Sequence, residues 1–111
     1  MESTQMAVHL TKRWGGTLSN PTADDLTAAL AELDVDDPEH PDCWLENEQG
    51  WDISVFGSGL VIFENVETNE GPWHMRGVSR EQVLELWNLL SAGRVEALKQ
   101  LSWKLGYGGR R

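Results

Sequence analysis

From residue 24 to residue 70 the chain holds not one lysine or arginine. It has a single cysteine, Cys43, so no disulfide framework can form within it, which fits a reducing compartment. No stretch approaches the ~20 apolar residues that span a bilayer, and Met1-Glu2-Ser3-Thr4-Gln5 lacks the basic and apolar regions of a secretory leader. A cytoplasmic location is the expectation. Tyrosine occurs once and phenylalanine twice, against six tryptophans, so most of the aromatic surface is indole. There is no internal repeat and no low-complexity tract. A chain of 111 residues is expected to form one domain over residues 1–111, burying about two-thirds of the surface that its unfolded form exposes.

The net charge of −9 is unevenly placed. Residues 1–23 carry +1, residues 24–70 carry −14 and residues 71–111 carry +4. Direct binding to nucleic acid or to an anionic membrane depends on clustered lysine and arginine, and this balance excludes it. Fourteen like charges on half of a small domain repel one another, which lowers stability unless something else holds the core together or an external cation compensates. Such a region serves either as a solvated, solubility-promoting face or as a docking face for a basic protein, and composition leaves both open.

Met6 to Trp14 alternates over a short run and stops at Gly15-Gly16, which predicts a first strand. Asn20 before Pro21, with Asp24 and Asp25 following, predicts a helix over about 21–34 capped by Asn20 and carrying Leu26, Ala29, Leu30 and Leu33 on one side. Asp36 to Asp42 contains Pro38 and Pro41 and must be a loop. From Cys43 the apolar period becomes two, and turns at Gln49-Gly50 and Gly57-Ser58-Gly59 join three strands into an antiparallel meander. Trp73 to Arg76 adds an edge strand. Ser79 and Gln82 form a capping box ahead of Val83, Leu86, Trp87 and Leu90, and Gly93 ends that helix. Arg94 to Leu101 makes a short third helix, and residues 106–111 read as a frayed tail. The expected fold is therefore α+β: a twisted antiparallel β-meander sheet of four to five strands, packed on one face by two to three α-helices.

The chemistry of an enzyme is hard to assemble from these residues. Cys43 has His40 nearby, but the acidic neighbours disfavour a thiolate, and a small, half-buried strand residue explains it better. The acids, His40 and Cys43 between residues 36 and 43 lack the paired spacing of a zinc site and the glycine and terminal glutamate of a calcium loop. Gly57-Ser58-Gly59 has no following lysine or helix start, so it reads as a turn and not as a phosphate cradle. His9 and His74 sit in apolar or aromatic settings and read as structural. No metal, cofactor or catalytic group is expected. Trp51 and Trp87 fall in phase with the core, while Trp44 and Trp73 are candidate interface anchors, since tryptophan is enriched at binding hot spots.

The run from Trp44 to Asn65 with its Leu60-Val61-Ile62-Phe63 strand, Val78-Ser79-Arg80-Glu81-Gln82-Val83 opening a helix, and Leu98-Lys99-Gln100-Leu101-Ser102-Trp103 toward the end resemble, over about two-thirds of the chain, a family of small bacterial immunity proteins. Members neutralise the toxin domains of polymorphic and contact-dependent inhibition systems. The resemblance implies stoichiometric binding that occludes the active site of a cognate basic toxin domain, a nuclease or nucleic-acid deaminase. The partner-binding candidates are Asp36, Asp37, Glu39 and Asp42 in the loop, Trp44, Glu46, Glu48 and Asp52 on the hairpin, Glu64, Glu67 and Glu70 beyond it, and Trp73. A free monomer or weak homodimer is expected. The alternative is a nucleic-acid mimic that inhibits a DNA-binding or restriction protein, which needs regularly spaced carboxylates; Asp24, Asp25 and Glu32 on the first helix space them poorly.

Overall fold

The structure is a computed structural model and describes residues 7–108. In chain order the elements are β1 (Val8–Thr11), β2 (Thr17–Ser19), α1 (Ala23–Glu32), β3 (Asp42–Asn47), β4 (Trp51–Phe56), β5 (Val61–Asn65), β6 (Trp73–Met75), α2 (Arg80–Ser91), α3 (Val95–Lys99) and β7 (Lys104–Leu105). All strands pair antiparallel in one sheet of order β2-β1-β3-β4-β5-β6-β7. The fold class is α+β as expected, but the sheet has seven strands where four to five are predicted. The first predicted strand is a hairpin: β1 ends at Thr11, the chain turns through Gly15 and Gly16, and β2 returns beside β1. The other additional strand, β7, lies just before the residues that read as a frayed tail in the sequence.

Helix α1 starts later than the sequence suggests. Its cap is Thr22, whose hydroxyl accepts from the Asp25 N–H while the Asp25 carboxylate accepts from the Thr22 N–H. Asn20 instead receives the Val8 N–H on its side-chain oxygen and so ties the helix approach to β1. Helix α2 keeps its expected cap, the reciprocal pair of Ser79 and Gln82.

Alternation divides the sheet into two faces. Leu10, Leu45, Ile53, Phe63 and Trp73 are register partners across five adjacent strands and form the inner row. Against them pack Leu26, Ala29 and Leu30 of α1, Val83, Leu86, Trp87 and Leu90 of α2, and Leu98 of α3. The core therefore lies between the helices and one face. Cys43 is fully buried there, and burial, followed by the neighbouring Asp42, pushes its thiol up to about 12. Trp87 is also fully buried, with its indole N–H donating to the Ile53 carbonyl at 3.2 Å. Replacing Trp87 by phenylalanine removes that donor and some buried area, and is expected to cost about 2 kcal/mol. A urea midpoint unchanged from wild type would show that the indole contributes nothing to the core.

The tail is held at its start. Gly106 donates to the Pro72 carbonyl at 2.8 Å, and the His74 ring donates through Nδ1 to the Gly106 carbonyl at 2.8 Å. Gly108 lies against that ring, where a Cβ would come within 2.6 Å of His74 Cδ2. Gly106 and Gly108, read in the sequence as part of a frayed tail over 106–111, make these contacts, while residues 109–111 lie outside the described residues. Among the described residues no helix is long and apolar enough to cross a membrane.

Candidate functional site

The sheet face turned away from the helices carries the other half of the alternation. Asp42, Trp44 and Glu46 of β3, Asp52, Ser54 and Phe56 of β4, and Glu64 of β5 lie on it, opposite in phase to Cys43, Leu45, Ile53, Val55 and Phe63. Register then decides which side chains meet. Glu46 pairs with Asp52, and Asp52 pairs with Glu64, so three carboxylates stand side by side across three adjacent strands. Directly opposed side chains in an antiparallel sheet approach to about 5 Å, and like charges placed so are destabilising. His9 continues the row beyond Glu46, and Trp44 lies in the neighbouring row with Ser54.

Asp52, at the centre of the row, is 7% exposed. Its carboxylate accepts from the Ser54 hydroxyl at 3.0 Å. Burial, then the like charges of Glu46, Glu64 and Asp42, push its pKa up from 3.8 to about 7, against the opposing pull of the Ser54 hydrogen bond. Glu64 receives the Tyr107 hydroxyl at 2.8 Å, which brings the C-terminal segment to the edge of the acidic row.

A second acidic group sits at the end of the sheet where β3 begins. Arg13 is buried beneath the loop between α1 and β3, and its guanidinium donates to the backbone carbonyls of Glu32, Val35, Asp37 and His40. Next to it Trp14, 51% exposed, donates its indole N–H to the Asp37 carboxylate at 2.7 Å and lies under the Arg13 guanidinium at 4.9 Å. That indole, then the His40 ring, holds the Asp37 carboxyl below the usual carboxylate range. One buried cation thus fixes a loop that presents Asp36, Asp37 and Glu39 to solvent. Neither Arg13 nor Trp14 is among the sequence candidates, because nothing local to residues 13 and 14 announces a partner more than twenty residues away.

The remaining candidates lie elsewhere. Glu48 is exposed in the β3–β4 turn at the opposite end of the sheet, with Glu67 beside Gly50 of that turn. Glu70, in the β5–β6 loop, is paired with Lys99 at 3.2 Å, and the Thr68 hydroxyl followed by Lys99 holds its carboxyl below the usual range. Trp73 faces the helices, stacks with Trp51 at 6.4 Å between ring centres and meets Phe63 in a tilted contact at 5.5 Å. The structure therefore joins Trp44, Glu46, Asp52 and Glu64 on one face, reaches Asp36, Asp37 and Glu39 through Asp42, and leaves Glu48, Glu67, Glu70 and Trp73 apart. Arg80, which pairs with Asp34 at 3.2 Å, and Lys99 are the cations of the chain's second half that meet this acidic stretch among the described ion pairs.

Among the described residues no group of three or more histidines, cysteines, aspartates or glutamates has a metal-holding arrangement. Compared with known proteins, the chain matches no family model, no curated protein and no solved structure.

Proposed function

We propose that this protein is an acidic binder of the immunity type, which docks the helix-free face of its sheet on a basic toxin domain and occludes its active site. The observation that carries the reading is the row of Glu46, Asp52 and Glu64, with the middle carboxylate buried and no lysine or arginine opposite it in register. A side chain kept where its charge is penalised is unfavourable for folding alone, and such groups concentrate at functional sites. A cationic partner supplies what the row lacks. Trp44, half-buried beside the carboxylates, offers the indole area around which interface energy collects. The resemblance to immunity proteins and the −14 charge of residues 24–70 support the same partner class, because a domain that must hold a polyanion is itself basic.

The test is association with the basic domain encoded beside this gene, followed by stopped flow at several salt concentrations. Sub-micromolar binding with an association rate that falls steeply with salt is expected. Replacing Glu46 and Glu64 by glutamine together should slow association about tenfold and flatten the salt dependence, with dissociation less affected. Association as fast as wild type in that double variant would move the docking face elsewhere, and no binding at moderate salt would remove the toxin reading.

A further inference from the structure

A cleft of about 790 Å³ opens between the loop after α1 and the β4–β5 turn, at the end of the sheet where β3 begins. Leu33, Val35, Pro41 and Leu60 line it together with Asp34 and Asp36. The two sides of the cleft are fixed relative to each other. A Cβ on Gly57 would lie 2.9 Å from the Leu33 carbonyl oxygen, so the turn touches the end of α1. The loop side is held by Arg13, which gives four of its five N–H donors to backbone carbonyls. Asp37 is engaged by Trp14 and His40, Asp34 is shared with Arg80, and Asp42 and Phe56 have contacts of their own. Asp36 is exposed and makes no hydrogen bond among the described residues. Val35, beside it, is 56% exposed although it is aliphatic.

We propose that this cleft receives the side chain of a single arginine presented by a protein partner, with the aliphatic stem against Val35 and Leu33 and the guanidinium on Asp36 and Asp34. The proposal rests on the reading of the molecule as a binder of basic proteins and names a specific anchor for it. Charge complementarity selects the occupant: four aspartates line the cleft against Arg13 and Arg76, Arg13 is turned to backbone carbonyls, and with Arg80 on Asp34 counted the group still keeps a net negative charge. Arginine suits it better than lysine because a planar, weakly hydrated guanidinium tolerates apolar walls and offers a fork of donors to carboxylates. A loop held in place before the partner arrives loses little freedom on binding, which favours affinity.

The experiment uses the whole protein and a blocked peptide with one arginine between glycines, titrated while backbone amide shifts are recorded by NMR. Saturating shifts at Asp36, Gly57 and Ser58 are expected, with affinity about tenfold above that of the matching citrulline peptide, which has the shape without the charge. Asp36→Asn should weaken the arginine peptide about threefold to tenfold while the melting curve stays that of wild type. Equal response to both peptides, or shifts centred on Glu46 and Glu64 instead, would overturn the proposal. Failure of the toxin reading is separable: a cleft that binds the peptide in a protein that ignores the neighbouring toxin condemns that reading alone. Toxin binding indifferent to Asp36→Asn, with no peptide response, condemns the cleft alone.

Discussion

Replacing Arg13 by alanine is expected to lower stability by about 4–6 kcal/mol, among the larger single effects open to this chain. The guanidinium is buried and serves four backbone carbonyls of one loop, and each hydrogen bond to a charged group contributes about 1.5–3 kcal/mol. Part of the loss returns as the loop rehydrates, so the sum is smaller than four full bonds. Lysine is not expected to rescue, because one ammonium cannot reach carbonyls from Glu32 to His40 with a planar fork of donors. Urea melts give the stability, and limited proteolysis between residues 33 and 41 reports the loop. Wild-type melting with a protected loop in the alanine variant would show that Arg13 is not what holds it.

Asp52→Asn should act in the opposite direction, and only above acidic pH. An acid whose pKa rises from 3.8 unfolded to about 7 folded binds its proton more tightly in the native state. Its contribution is therefore most favourable below about pH 4, declines as pH rises from about 4 to 7, and above that leaves a penalty on the order of 3–4 kcal/mol. Asparagine keeps an oxygen for the Ser54 hydroxyl and offers an amide to Glu46 and Glu64. The variant should melt as wild type at pH 4, exceed it by about 3–4 kcal/mol at pH 8, and lose the decline between those limits. Parallel pH profiles for the two proteins would show that Asp52 ionises as an ordinary aspartate. The same substitution is predicted to weaken capture of a basic partner, because the penalty in the free protein is relieved when a cation arrives.

Local signals carried part of this structure. The reciprocal cap of Ser79 and Gln82 is encoded within four residues, so the start of α2 is legible in the sequence. The meander is legible too, since a period of two from Cys43 to Phe56 assigns Trp44, Glu46 and Asp52 to the face opposite Leu45 and Ile53. At the start of α1 the sequence misleads: Asn20-Pro21 looks like the cap, but the Val8 N–H draws Asn20 away and Thr22 with Asp25 caps the helix instead. Distance in sequence hides the rest. Arg13 and its carbonyls are separated by 19 to 27 residues, and Tyr107 and Glu64 by 43. Trp73 stands on a three-residue strand too short to show a phase, and only pairing with Phe63 directs it inward. The row of carboxylates is a product of register, which follows from turn lengths and core burial together and not from any one segment.

The sheet also ends in a particular way. Its outermost strands are β2, of three residues, and β7, of two. Long unpaired edges are templates on which β-proteins polymerise, and very short ones blunt that tendency. With so narrow a hem on either side, the described sheet offers a sister molecule little backbone to pair with.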